Sequence, residues 1–112
     1  MKRFVIWVAL LQRECNIQGF SNQPVNGFVT PITLAGCPTV KRGACGNITA
    51  IIQARLTDLL FDVNIDGIFG DNTFAAVQAF QKFNGLIVDG IVGPQTWARL
   101  LGIIDNVDTT VK

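Results

Sequence analysis

Three glutamines stand at matching places in a repeated pattern, and each is placed to hold a loop or to read a ligand. Each follows a large apolar residue, as Leu11-Gln12, Ile52-Gln53 and Phe80-Gln81. Downstream of each lies an apolar-[Asp/Asn]-Gly turn, in Val25-Asn26-Gly27, Ile65-Asp66-Gly67 and Val88-Asp89-Gly90. A Thr then falls six residues after each Gly, at Thr33, Thr73 and Thr96. The second and third turns are near copies 23 residues apart, Asp66 to Asp89. Self-similarity at a fixed period marks a repeated supersecondary unit.

A carboxamide carries two donors and has two acceptor sites. Gln53 and Gln81 therefore either bond the loop backbone and fix the turn, or point an amide into a groove; Gln12 is their equivalent in the first copy. Asp66-Gly67 and Asp89-Gly90 have the same two readings. As turn chemistry, the carboxylate bonds nearby N–H groups and Gly takes a conformation closed to other residues; as ligand chemistry, the carboxylate touches the ligand itself. The backbone freed by those glycines is a third element, because N–H groups beside a helix start suit an anion or a peptide carboxylate. Phe69 and Trp97 flank the loops and are either core or, if partly exposed, faces for a sugar ring or a peptide methyl. The candidate ligand-binding residues are thus Gln53, Asp66, Gly67, Phe69, Gln81, Asp89, Gly90 and Trp97.

The inventory argues against catalysis. There is no His and no Tyr, and Glu14 is the only glutamate. His-dependent triads, Cys-His dyads and His-ligated zinc sites cannot be assembled, and a glycosidase pair would need Glu14 with an aspartate that already has a turn or cap explanation. No catalytic residue, metal ligand or cofactor is expected. A net charge of +1 gives no electrostatic footprint for nucleic acid or an anionic membrane. Cys15, Cys37 and Cys45 match no metal spacing. Buried, unpaired thiols are expected, with a Cys15–Cys37 or Cys37–Cys45 disulfide as the alternative; the odd count leaves at least one free or paired between chains.

The elements that must position these residues are short helices. Apolar residues make up 49% of 112 and charged ones 15%, which fits a packed chain of one compact unit or two very small ones. Met1-Lys2-Arg3 and the apolar run Phe4 to Leu11 look like a signal peptide, but the run is short and ends in Gln12-Arg13-Glu14 without a cleavage site. A first helix over 2–16, buried on more than one side, explains it better. Thr30-Pro31 opens a short helical turn that stops at Gly36. Residues 37–46 form an irregular link. Asn47 is the expected N-cap of a helix to Leu60, with Ile48, Ile51, Ile52, Leu56, Leu59 and Leu60 on one stripe. Asp71 or Asn72 caps the next helix, which carries Phe74, Val77 and Phe80 inward and stops at Asn84-Gly85. A last helix starts at Pro94 and carries Trp97, Leu100 and Leu101 before Gly102. Nothing compels order in 105–112.

A longer run then becomes specific. Pro38-Thr39-Val40-Lys41-Arg42-Gly43, Gly46, Ile52-Gln53-x-x-Leu56, Asp66-Gly67-Ile68-Phe69-Gly70-x-x-Thr73, Ala76-Val77-x-x-Phe80-Gln81 and Gly85-Leu86-x-Val88-Asp89-Gly90-x-Val92-Gly93-Pro94-x-Thr96-Trp97-x-x-Leu100 resemble the peptidoglycan-binding domain, a small three-helix module attached to bacterial and phage cell-wall hydrolases. The resemblance covers 38–101. Residues 2–37 are similar to a shortened, degenerate copy, with Asn26 where the motif has Asp and Thr30 where it has Gly.

That resemblance implies an all-α fold: a three-helix bundle with Gly-rich loops and an extra N-terminal helical half-repeat. It divides the chain into a half-repeat at 1–37 packed on the second part, a binding domain at 38–102 and a tail at 103–112. It implies a non-catalytic module that binds peptidoglycan, through glycan or stem peptide, and targets or anchors a hydrolase such as an endolysin or a spore-cortex lytic enzyme. The expected partners are that polymer and a catalytic domain or subunit, without nucleic acid or membrane, and the place of action is extracellular, at the bacterial wall, including release on lysis from a phage-encoded source. The alternative is a structural or oligomerising subunit, such as a virion component or an assembly tail, in which the chain forms a homo-oligomer.

Overall fold

The computed structural model describes residues 2–103. Five helices follow one another: α1 (Lys2–Ile17), α2 (Pro31–Ala35), α3 (Asn47–Asp58), α4 (Asp71–Phe83) and α5 (Pro94–Leu100). The fold is all-α. Among the described residues no helix is long and apolar enough to cross a membrane.

Spacing of apolar residues explains what each helix buries. On α1, Trp7, Val8, Leu11 and Cys15 recur at helical intervals and enter the core. On α3 the buried stripe is Ile48, Ile52 and Leu56, and on α4 it is Ala76, Val77 and Phe80. Trp97, Leu100 and Leu101 close the core from α5 and the residue after it. The first helix packs on α3, where the Trp7 indole N–H donates to the Ile51 carbonyl at 2.7 Å. Arg55 of α3 lies under the rings of Phe4 and Trp7 and donates to the Leu100 carbonyl at 2.8 Å. One guanidinium thus ties α1, α3 and the end of α5 together.

Several local expectations change. The run on α1 is covered on one side only: Val5, Ile6, Leu10 and Ile17 are exposed, because α3 is the main helix packed against it. Asn47 does not cap α3. Gly46 holds the cap position at φ +123°, and the Asn47 amide turns to Glu14 at 3.2 Å. The cap of α4 is likewise Gly70, not Asp71 or Asn72, and it makes no side-chain cap bond. Helix α3 stops at Asp58, which leaves Leu60 off the stripe and 92% exposed. Thr30 does cap α2, with Pro31 in first place.

Four chain reversals after helices share one bond pattern. Phe20, Phe61, Leu86 and Ile103 each donate an N–H back to the carbonyl of Cys15, Leu56, Gln81 and Ala98. The residue before the donor is left-handed each time: Gly19, Leu60, Gly85 and Gly102. This is the six-to-one closure that satisfies orphan helix carbonyls, and Gly is its usual occupant. Leu60, at φ +72°, takes that place without Gly's freedom.

The link between the halves is more ordered than its Pro and Gly content suggests. Val40 pairs with Val92 through two N–H to carbonyl bonds of 3.0 and 2.7 Å. Farther on, Phe69 donates to Ala44, Gly43 to Phe69, and Gly46 to Gly67. The Trp97 indole N–H donates to the Pro38 carbonyl at 2.7 Å. Residues 38–46 therefore bond to both downstream turns. The three cysteines are free; Cys15 is buried, Cys37 half-buried, and Cys45 exposed where a buried thiol was expected.

Candidate functional site

Each turn is held by one glutamine in the same way. Gln53 Oε1 accepts the N–H groups of Asp66 and Gly67 at 3.0 and 2.8 Å. Its Nε2 donates to Asp66 Oδ1 at 3.0 Å, the Ile68 carbonyl at 3.0 Å and Thr73 Oγ1 at 2.9 Å. Gln81 repeats the set on Asp89 and Gly90 (3.1 and 2.9 Å), Asp89 Oδ1 and the Ile91 carbonyl (both 2.9 Å), and Thr96 Oγ1 at 3.1 Å. Gln12 repeats it with Asn26, Gly27, Phe28 and Thr33, at 2.9 to 3.3 Å. The Gln, the Asp or Asn, the Gly and the Thr of each copy thus form one hydrogen-bonded clamp.

The clamp assigns the spare capacity of its members. All three glutamines are buried, and both amide atoms of each are occupied by the loop. A buried polar network of this kind specifies one geometry and is costly to leave half made. Asp66 and Asp89 are exposed at the rim. Each spends Oδ1 on the Gln amide and on the N–H two residues on, Ile68 or Ile91. Those backbone N–H bonds, and then the Gln amides, hold both carboxyls below the usual carboxylate range. Oδ2 of each enters none of these bonds.

The loop N–H groups are not free for a ligand, contrary to the reading that the glycines expose them. Residues 66 to 70 donate to Gln53, Asp66, Ala44 and Ile68, and residues 89 to 93 to Gln81, Asp89, Val40 and Ile91. Phe69 and Trp97 lie in the core, 1% and 0% exposed, so neither ring offers a face for stacking. Gly67 and Gly90 sit at φ +76° and +73°. A Cβ on Gly90 would stand 2.2 Å from the Phe74 ring, so this glycine is needed for both backbone angle and packing.

What the clamp builds is a groove. Beside the third turn a hollow of about 340 Å³ is walled by Leu86, Ile87, Asp89, Ile91, Pro94 and Gln95. It continues past Leu86, Ile87, Pro94 and Gln95 into one of about 410 Å³ that adds Leu34, Ala98 and Arg99. Of the candidates, Asp89 and Gln81 line it. Leu86, Ile87, Pro94 and Gln95 were not singled out from sequence. The signal was there: Gln95 and Asn72 are carboxamides at the same place in the 23-residue repeat. Among the described residues no group of His, Cys, Asp or Glu could hold a metal.

Residues 46–100 match the family model described as "peptidoglycan binding domain". The crystal structure of a SleB N-terminal domain is 35% identical, with a TM-score of 0.56 over 58% of this chain and 90% of that one. The chain belongs to the peptidoglycan-binding domain family. A Burkholderia AP3 phage endolysin shares the fold at a TM-score of 0.59 and 38% identity, over 62% of this chain and 27% of that one. A spore cortex-lytic enzyme from Halalkalibacterium halodurans is 40% identical over 62 residues, which are 54% of this chain and 19% of the enzyme. The chain spans about half the length, or less, of the curated relatives it matches.

Proposed function

We propose that this chain is a non-catalytic module that binds peptidoglycan and holds a cell-wall hydrolase, as a covalent domain or a separate subunit, on its substrate. Holding an enzyme at a polymer raises its effective concentration there without new contacts at the reacting bond. The single observation that carries this reading is the Gln-clamped turn with its open groove inside a matched peptidoglycan-binding domain. The relatives named as spore cortex-lytic enzyme and endolysin support the hydrolase partner. They also support action at the bacterial wall.

Within this reading the groove makes the contact, with Asp89, Ile91, Pro94 and Gln95 facing the ligand, while Gln81, Gly90 and Trp97 shape it from beneath and Gln53, Gly67 and Phe69 shape the second turn. Asp66 plays the part of Asp89 at the second turn. Residues 1–37 are a degenerate half-repeat packed on a binding domain at 38–102. The tail assigned to 103–112 lies, beyond residue 103, outside the described residues. Single-site affinity is weak, because a small groove of near-neutral charge offers few contacts. Co-sedimentation with sacculi stripped of accessory polymers tests the function: the protein pellets if the reading holds and stays in the supernatant if it does not.

One observation favours a second reading. One face of α1 exposes Ile6, Leu10 and Ile17, and an exposed apolar strip of this kind suits a structural or oligomerising role. Light scattering in solution, with and without reductant, separates the two: a strict monomer that binds wall excludes it.

A further inference from the structure

The groove beside the third turn has a counterpart beside the second. A hollow of about 130 Å³ lies there, continued past Val63, Asn64 and Asn72 by one of about 470 Å³. The correspondence holds residue by residue. Leu86, Asp89, Ile91, Gly93, Gln95 and Thr96 of the one stand 23 positions after Val63, Asp66, Ile68, Gly70, Asn72 and Thr73 of the other. At each pair the residue kind is kept: branched aliphatic, carboxylate, isoleucine, glycine, carboxamide, threonine. In the outer parts Ala98 is matched by Ala75. Two rim positions differ, since Asn64 replaces Ile87 and Asp71 replaces Pro94.

The kept set has a definite chemistry. An aliphatic wall takes a methyl group, the carboxamide donates an N–H to the amide's carbonyl, and the Asp oxygen outside the clamp accepts the amide's N–H at its opposite end. A methyl next to a secondary amide satisfies all three, as on an N-acetylated hexosamine or an alanyl peptide. Both grooves are fixed to one helix: Thr73, at the start of α4, floors the second-turn groove, and Gln81, later on α4, floors the other. From 73 to 81 along a helix is about 12 Å, so the two are held at a set spacing.

We propose that the chain carries two binding grooves for the same methyl-bearing amide, and that one chain grips two repeat units of one polymer. This rests on the peptidoglycan-binding reading above and adds a second site to it. The differing rims, Asn64 and Asp71 against Ile87 and Pro94, make the two affinities unequal. Two weak sites on a rigid frame turn the second contact into an intramolecular one, and the polymer is held far more tightly than any fragment.

The test uses the whole chain, with amide chemical shifts followed as two soluble fragments are added separately: a peptidoglycan disaccharide and a stem tetrapeptide. The expected result is that one of them shifts amides at both 63–73 and 86–96, with two bound per chain; which fragment does so identifies the amide's source. Asn72→Trp and Gln95→Trp, both at exposed positions, should each leave one site, lose roughly 10-fold or more on intact sacculi, and together abolish binding. Shifts confined to 86–96, or an Asn72→Trp variant that binds sacculi like the parent, overturn the second groove and leave the proposed function standing. A parent protein that ignores sacculi overturns both. The mapping on the parent decides the matter even if a Trp variant fails to fold.

Discussion

Thr73 and Gln81 lie on the same helix, α4, yet belong to different clamps: Thr73 Oγ1 receives the Gln53 amide at 2.9 Å, and Gln81 donates to Thr96 Oγ1 at 3.1 Å. The helix that ends one clamp begins the next. Loop geometry at the second turn is therefore coupled to that at the third through a single rigid element, and loss of either glutamine should be felt beyond its own turn.

Replacing Gln81 by Leu keeps the volume roughly and removes every bond that Gln81 makes in the clamp. The N–H groups of Asp89 and Gly90 would then face an apolar side chain. Each buried unpaired group costs about 1 to 3 kcal/mol, so the variant should lose about 3 kcal/mol or more. Urea unfolding measures this. A loss below about 1 kcal/mol would mean that the turn holds itself.

Gly90 and Gly85 have nearly the same backbone angle, φ +73° and +71°, but differ in surroundings. An added Cβ meets the Phe74 ring at Gly90 and nothing within 4 Å at Gly85. Gly85→Ala should cost about 1 kcal/mol from backbone conformation alone. Gly90→Ala should cost at least about 1 to 3 kcal/mol more, because the core must shift. Equal losses in thermal unfolding would remove packing from the explanation.

Leu60 supplies the opposite case, a left-handed leucine where three equivalent positions hold glycine. Relief of left-handed strain, about 1 to 2 kcal/mol, exceeds the entropy penalty of a glycine, about 0.5 to 1 kcal/mol. With the side chain in solvent there is little packing to lose. Leu60→Gly should raise stability by up to about 1 kcal/mol, read as a higher melting temperature.

How much was legible in the sequence follows from which interactions are local. The Gln-turn-Thr units and the glycine stops could be read because their chemistry repeats. The pairing of Val40 with Val92 could not, since a single bridge between distant residues leaves no period. Phe69 and Trp97 are ambiguous in sequence because an aromatic in the core and one at a rim look alike as letters; the assembled core buries them, with 38–46 bonded to both turns. Leu60 is expected on the α3 stripe because leucine favours helix, but what stops α3 is the closure back to Leu56 rather than a breaker residue. Asn47 failed as a cap because Gly46 is free to take a conformation that puts it there first.

Asp66 and Asp89 each make a part of the stability acid-sensitive. Their folded-state carboxyls titrate below the usual range, held there by the N–H groups of Ile68 and Ile91 and then by the Gln amides. A depressed folded value means that the unfolded chain binds protons more readily. Their contribution is therefore fully present above the unfolded carboxyl range, near about pH 4, and is lost as pH falls through the lowered values. The Asp66→Asn, Asp89→Asn double variant should keep the fold, as Asn26 does in the first copy, and show a flatter stability profile in acid. An unchanged profile would contradict this assignment.

The most direct test of the central claim is a binding isotherm on purified, polymer-stripped sacculi for the parent chain and for Gln95→Trp, with both shown folded by their amide spectra. The parent should bind saturably, and the variant, its groove filled by the indole, should bind roughly 10-fold more weakly or worse. A folded variant that binds like the parent would contradict the groove as the site of recognition.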